Sequence, residues 1–370
     1  MEEVINISIM VKRKITLRML KNKVITQKDV AERAGVSRGV VSYVINNGPR
    51  EVAPETRKRV LAAIQDLDYR PNKHAQRLKL GGAPAKQSLG IVAGGQSFNV
   101  LERPYYNIIL AGLFEEAHRL GQEVRFFSFF DALTDPIFFN KNIHRDEISS
   151  LILILPAMIT TIPDCQAILD RIAERIDNVV CLEEPLKDWP TVIFDRAAAA
   201  RQAVEHLINL GHQRIAFLAI QDGRLTGYRQ TLLDFNLPYD ESLIFTTDPS
   251  HVLSSAYQLT IEILQMQPRP TAIFAANDES AISSIAALHD YCVKVPEEIA
   301  VVSIDNIGLS EMIRPSLTTV DIPKRRMATY AMQVLMLQKQ FKDQKSTSIV
   351  LPTELIIRDS CGAKTKECFQ

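Results

Sequence analysis

The chain has 370 residues, of which 46% are hydrophobic and 23% charged, a balance that describes a folded globular protein and excludes a disordered or fibrous one. Its net charge of zero conceals an asymmetry: residues 1–87 hold 18 Lys and Arg against 8 Asp and Glu, and the remainder hold 25 against 35. No apolar run reaches the ~18 residues that would span a bilayer, and the short apolar stretch Ile5–Val11 follows Glu2 and Glu3 without a small-residue cleavage site, so neither a membrane span nor a secretory signal is expected.

A basic segment joined to an acidic body predicts that only the N-terminal part meets a polyanion. Five cysteines (Cys165, Cys181, Cys292, Cys361, Cys368) are few, odd in number and not spaced for a metal, which points to reduced thiols in a cytoplasm. The length predicts two or three domains.

Residues 1–25 read as a basic extension rich in Lys and Arg. They are either an arm adding phosphate contacts or a leader upstream of a start at Met10 or Met19. Residues 26–70 carry three short helical patterns. Thr26 with Asp29 suits a capping box on the first, Gly35 falls where a turn needs positive φ, and Ser37 suits the cap of the second. Val30 and Ala31 inside the first helix, with Val41 and Val44 inside the second, complete the spacing of a helix–turn–helix. A third helix is expected from Pro54 to Leu67, with Ala53 where a capping Ser would serve better.

In such a motif the N-terminal residues of the second helix approach base edges in the major groove. The candidate DNA contacts are Thr26, Ser37, Arg38, Gly39, Ser42, Tyr43 and Asn46. Among them Arg38 can bond guanine O6 and N7, and Gly39 leaves room for close approach. Tyr43 has a second reading, with its ring packed on the headpiece. Residues 71–88 open with Pro71 and a basic stretch and end in Gly/Pro/Ala linker composition. Asn72 can cap a helix there that is too short to be stable alone.

From Leu89 the texture changes. Apolar runs at 89–94, 123–129, 150–156, 178–183, 191–195, 214–220, 272–278 and 299–305 alternate with amphipathic helical patterns at 105–120, 164–176, 197–210, 252–266 and 279–291. This alternation predicts parallel sheets, and eight strands suit two doubly wound subdomains with ligands at their strand ends.

The stretch "ITQKDVAERAGVSRGVVSYVINNGPREVAPETRKRVLAAIQDLDYRPNKHAQRLKLG" resembles the DNA-binding headpiece of the lac repressor/galactose repressor family. "NLGHQRIAFLA", "AANDESAISSIAAL", "VPEEIAVVSIDNIGLSEMIRPSLTTV" and "LPTELIIRDSC" resemble its effector-binding core. The resemblance implies a small all-α helix-turn-helix headpiece plus an α/β core of two doubly wound subdomains like the periplasmic binding proteins. The core is expected at 89–362, with crossovers near 190–196, 318–324 and 350, followed by a tail at 363–370. It implies a hinge helix in which Ala75 and Leu78 meet the minor groove, Leu78 as the wedge. It also implies a homodimer on a pseudo-palindromic operator, and a small-molecule effector, a sugar or related metabolite.

Matching positions give Tyr106, Arg224 and Asp305 as effector contacts, with Asn277 and Asp278 at another strand end. Core packing for Tyr106, an ion pair for Arg224 and a helix cap for Asp278 are the alternatives. "CLEEP" places Glu183 and Glu184 where many members carry Asp-Arg, so a sugar and an amine-bearing ligand both stay open. A protein corepressor in place of a small molecule, or a loss of effector response, is the rival within the class. No nucleophile–base pair, phosphate loop or metal motif is present, so no enzyme, cofactor or metal is expected.

Overall fold

The computed structural model describes residues 25–46, 51–69, 88–96, 100–340 and 347–363. In chain order the helices are α1 Gln27–Ala34, α2 Arg38–Asn46, α3 Pro54–Asp66, α4 Pro104–Arg119, α5 Pro136–Asn142, α6 Pro156–Ile159, α7 Cys165–Arg175, α8 Arg196–Asn209, α9 Gly223–Asp234, α10 Val252–Gln265, α11 Asp278–Asp290, α12 Gly308–Met312 and α13 Lys324–Gln340. The strands are β1 Ser88–Ala93, β2 Glu123–Phe129, β3 Ser150–Ile154, β4 Val179–Leu182, β5 Thr191–Phe194, β6 Ile215–Leu218, β7 Ile244–Phe245, β8 Ala272–Ala275, β9 Ala300–Asp305, β10 Thr318–Asp321, β11 Ser348–Leu351 and β12 Glu354–Ile356. They fall into two compact units, one made of the described part of Met1–Lys86 with Asp131–Ser149 and Ala167–Ile176, the other of the remaining described chain.

The first unit is helical. The Thr26 hydroxyl accepts the Asp29 amide, and Asp29 accepts the Thr26 amide at 2.8 Å, so the capping box starts α1. Gly35, at φ 65°, ends it in the left-handed region and turns the chain into α2. Ser37 Oγ accepts the Val40 amide at 3.4 Å. Val30, Val41, Val44, Val60 and Ile64 form one buried cluster, joined at its edge by Ile137 from α5. Pro54 occupies the first turn of α3, and Ala53 supplies no side-chain cap.

The second unit holds two six-stranded sheets, ordered β11-β5-β4-β3-β1-β2 and β7-β6-β8-β9-β10-β12. The first is wholly parallel. In the second only the β10–β12 pair is antiparallel. Runs such as Ser150–Ile154 and Ala272–Ala275 are buried along their whole length, as strands covered on both faces must be. The chain passes between the sheets at three short crossings: Asp195, Ile322–Pro323 and Pro352–Thr353.

Each of the eight predicted strands has its counterpart within a few residues, whereas β7, β10, β11 and β12 and helices α5, α6, α9, α12 and α13 were not among the predicted elements. The missed strands are short: Ile244–Phe245 is two residues, and Glu354–Ile356 three. A period-two signal needs more residues than that.

Candidate DNA-reading face and strand-end site

The motif residues converge on one exposed face of the first unit. Arg38 and Gly39 open α2, both exposed, with Ser42 and Tyr43 one turn on and half-buried. Arg38 Nε donates to Gln27 Oε1 at 3.4 Å. Asn46 Nδ2 donates to the Ser42 carbonyl at 3.1 Å and to its hydroxyl at 3.2 Å. Thr26 and Ser37 sit at the two caps. Gln27 was absent from the sequence-derived set; its position one residue past the Thr26 cap, at the mouth of the helix pair, was the available signal. Asn72, Ala75 and Leu78 lie outside the described residues, as do residues 1–24 and 364–370.

Gly39 is not required by the fold. A Cβ built there meets nothing closer than Ser37 Oγ at 3.7 Å, an ordinary contact, and its φ is not positive. Gly39→Ala is therefore expected to stabilise the protein by up to about 1 kcal/mol through helix propensity. On the DNA-contact reading it weakens operator binding at the same time. Chemical denaturation beside a gel-shift titration checks both signs.

The second cluster lies at the carboxyl ends of the strands of both sheets, the place where doubly wound sheets bind ligands. Backbone strain gathers there: Leu155 (φ 56°), Glu183 (φ 79°), Asp305 (φ 127°) and Asn306 (φ 53°) all follow or end strands in the left-handed half of φ space. Non-glycine residues hold such angles only where the surroundings enforce them, and such positions gather at ligand sites.

Three arginines enter this site, each already matched. Arg103 reaches Glu279 with Nε and Nη2, both at 2.7 Å. Arg224 grips Asp222 through Nε at 3.0 Å and Nη2 at 2.7 Å, and its Nη1 donates to the Ala276 carbonyl. Arg196 lies 3.3 Å from Glu184 and 3.7 Å from Asp222, and donates to the Glu183 carbonyl. Burial would raise the Asp222 carboxyl, but Arg224 and Arg196 hold it below its ordinary value. Asp222 also caps α9 by accepting the Arg224 amide at 2.9 Å.

Among the strand-end acids, Asp278 is entirely occupied. Its carboxylate accepts from the hydroxyls of Ser303, Ser310 and Thr319 and from the Ile307 amide, binding β9, β10 and α12 together. The helix cap falls to its neighbour Asn277, whose Oδ1 accepts the Ser280 amide at 2.8 Å. Glu183 and Asp305 differ. Glu183 is 3% exposed, and its Oε2 has no hydrogen-bond partner among the described residues. Burial pushes its carboxyl up, against the opposing pull of Arg196, Tyr106 and Tyr105. Asp305 is 6% exposed; its main-chain carbonyl accepts Lys324 Nζ, and among the described residues no hydrogen bond reaches its carboxylate. Burial first, and the Asp278 charge second, push the Asp305 carboxyl up to about 8 in spite of Lys324, Arg224 and Arg103. Tyr105 feels both acids, and it meets Tyr106 edge to face with centroids 5.0 Å apart.

The fold thus brings Tyr106, Glu183, Arg224, Asn277 and Asp305 to one place, with Asp278 as the brace beneath them. Sequence reading missed Arg103, Arg196, Asp222 and Glu279. Arg103 and Glu279 are 176 residues apart and meet only in the fold, whereas Asp222 is held by its near neighbour Arg224 and Arg196 reaches Glu184 and Asp222 from the start of α8. Among the described residues no group of three or more His, Cys, Asp and Glu side chains is placed to hold a metal, and no helix is long and apolar enough to cross a membrane.

Residues 26–72 match the family described as bacterial regulatory proteins, lacI family, and residues 204–361 match the periplasmic binding protein-like domain. The HTH-type transcriptional regulator DegA of Bacillus subtilis (strain 168) is 31% identical over 342 residues, covering 90% of this chain and 96% of its own. The HTH-type transcriptional repressor PurR of Mannheimia succiniciproducens is 29% identical over 353 residues, covering 90% and 98%. Among solved structures, the lac repressor dimer bound to operator and the anti-inducer ONPF superposes with a TM-score of 0.62 at 26% identity, covering 92% of this chain and 99% of that one. The transcriptional regulator CelR in complex with cellobiose gives 0.62 at 26% identity, covering 91% and 99%.

Proposed function

Because the chain belongs to the lacI family of bacterial regulatory proteins and is thereby a DNA-binding transcriptional regulator, we propose that it acts in the cytoplasm as a homodimeric repressor on a pseudo-palindromic operator. In this reading Arg38 reads guanine, Ser42, Tyr43 and Asn46 flank it, and Thr26 and Ser37 hold the helix ends against phosphates. Residues 71–88, with Asn72, Ala75 and Leu78, form the hinge that reports the state of residues 89–362 to the DNA. The regulators it resembles are transcription factors, and we assign the strand-end site to binding and not to turnover.

The observation that carries the effector reading is the pair Glu183 and Asp305, two buried acids with lone pairs to offer among arginines that are already matched. A ligand entering there supplies hydrogen-bond donors, as the hydroxyls of a polyol or the ammonium of an amine do. Tyr106 furnishes an aromatic wall and Arg224 an orienting cation, with Asn277 at the rim. Effector binding then changes operator affinity by the coupling free energy between the two sites.

Asp305 gives the test. Between its ordinary value near 3.9 and about 8, the folded chain keeps a proton that the unfolded chain has lost. Stability therefore falls as pH rises through that window, by at most about 1.4 kcal/mol per pH unit. Asp305→Asn is expected to remove this slope, so that it melts above the wild type with a gap that widens from pH 5 to pH 8. It should also abolish the melting-temperature rise produced by polyols or amines in a metabolite screen. If no small molecule raises the wild-type melting temperature, the effector is a protein or none, and the site is structural.

A further inference from the structure

The C-terminal end of α3 does not stop in solvent. Helix ends leave their last carbonyls without intrahelical donors, and something outside the helix must supply them. Here the donor comes from α5: Asn140 is fully buried, and its Nδ2 reaches the carbonyls of Ile64 and Tyr69, each at 3.4 Å. Asn140 Oδ1 accepts Arg171 Nη2 at 3.0 Å, so the whole amide is used. Arg171 and Arg175 lie on the Phe139 ring at 4.0 and 4.8 Å. Arg175 donates to the Ile143 carbonyl at 3.2 Å and pairs with Asp68, a residue held at φ 50°. Ile137 completes the joint by packing on the buried cluster of the headpiece.

This joint leads to the reading face. Tyr69, whose carbonyl Asn140 holds, is 2% exposed and packs in the same buried cluster as Val41 and Val44 of α2, the helix that Arg38 opens. The far side of the headpiece remains open, with Arg38, Gly39 and Asn46 exposed while α3 is engaged.

We infer that residues 136–143 and 171–175 form a socket for the headpiece of the same chain, and that Asn140, acting through Tyr69 and the buried cluster it shares with α2, is a positioning residue for Arg38. Because the engaged headpiece keeps its reading face exposed, the socket pre-orients it for DNA and does not mask it. Ordering Arg38 before the encounter reduces what binding must later immobilise, and an ordered side chain discriminates among bases better than a free one. The inference rests on the DNA-binding reading above, so its test includes a readout that needs no DNA.

The full-length protein is compared with Asn140→Leu and Asp68→Asn, the second weakening only the pair with Arg175, on duplexes selected in vitro with the wild type. Both variants should lose about fivefold in discrimination at the base pair that Arg38 reads, as the loss of one hydrogen bond implies. Affinity for unrelated duplex should stay unchanged, and neither variant should add anything in an Arg38→Ala background. In the DNA-free protein, Asn140→Leu and Asp68→Asn should both speed backbone hydrogen exchange over residues 61–69 while the melting temperature of the strand-rich unit holds. Equal weakening on every duplex, full additivity with Arg38→Ala, or exchange unchanged in both socket variants would overturn the inference. A wild type without sequence preference but with socket-dependent exchange would sink the DNA reading and leave the socket standing.

Discussion

Arg38→Ala is expected to lower operator affinity by about 1–3 kcal/mol, with the loss confined to one base pair in each half-site. The guanidinium stands exposed at the first turn of α2, held at 3.4 Å by Gln27 and, among the described residues, by no carboxylate. Among the described residues, moving it to a base edge therefore breaks one hydrogen bond to a neutral acceptor and no ion pair. Because the side chain contributes nothing to the buried cluster, the fold should be unaffected, and denaturation midpoints of variant and wild type should coincide. The measurement is a titration against a duplex series in which each position of the half-site is varied in turn. A uniform loss across the series, with a salt slope lower by about one, would make Arg38 a phosphate contact.

Gly227→Ala is expected to act oppositely to Gly39→Ala, though both replace a helical glycine. At Gly227 an added Cβ would lie 2.3 Å from the Ala197 carbonyl oxygen and 2.8 Å from its Cα, so α9 would be forced off the backbone of α8. Overpacking of this kind costs about 1–3 kcal/mol and outweighs the ~1 kcal/mol that alanine gains as a helix former. The displaced turn also carries Arg224 and its partner Asp222, which caps the same helix. Urea denaturation should show the loss of stability, and effector affinity should fall with it. A variant as stable as the wild type would mean that α8 and α9 separate freely, and the close approach would then explain nothing about the glycine.

The contrast shows what the chain reveals before it is folded. The helix–turn–helix is legible because its constraints are local: a cap at Thr26, a left-handed residue at Gly35 and valines one turn apart. The parallel strands are legible because burial on both faces writes an unbroken apolar run. By contrast, the reason for Gly227 sits thirty residues away, on the surface of α8. Arg103 and Glu279 are 176 residues apart, and neither carries a local mark of the other. Asp278 followed the same rule: its sequence context suggested a cap or a ligand contact, whereas its four donors come from β9, β10 and the chain around α12. Glu183 was visible as an acid closing an apolar run, but its unpartnered oxygen was not.

The three crossings between the sheets set a timetable for synthesis. β5 pairs on one side with β4 and on the other with β11, which the ribosome delivers about 150 residues later. At ~5–20 residues per second the open edge of β5 waits on the order of ten seconds or more. β10 waits for β12 in the same way, though more briefly. The residues that carry the reading helix are among the first to emerge, whereas the strand-end site waits for Asp305 on β9 and Thr319 on β10. A nascent chain thus presents its reading helix well before its strand-end site is assembled. During that interval its unpaired strand edges are the part that most needs a chaperone.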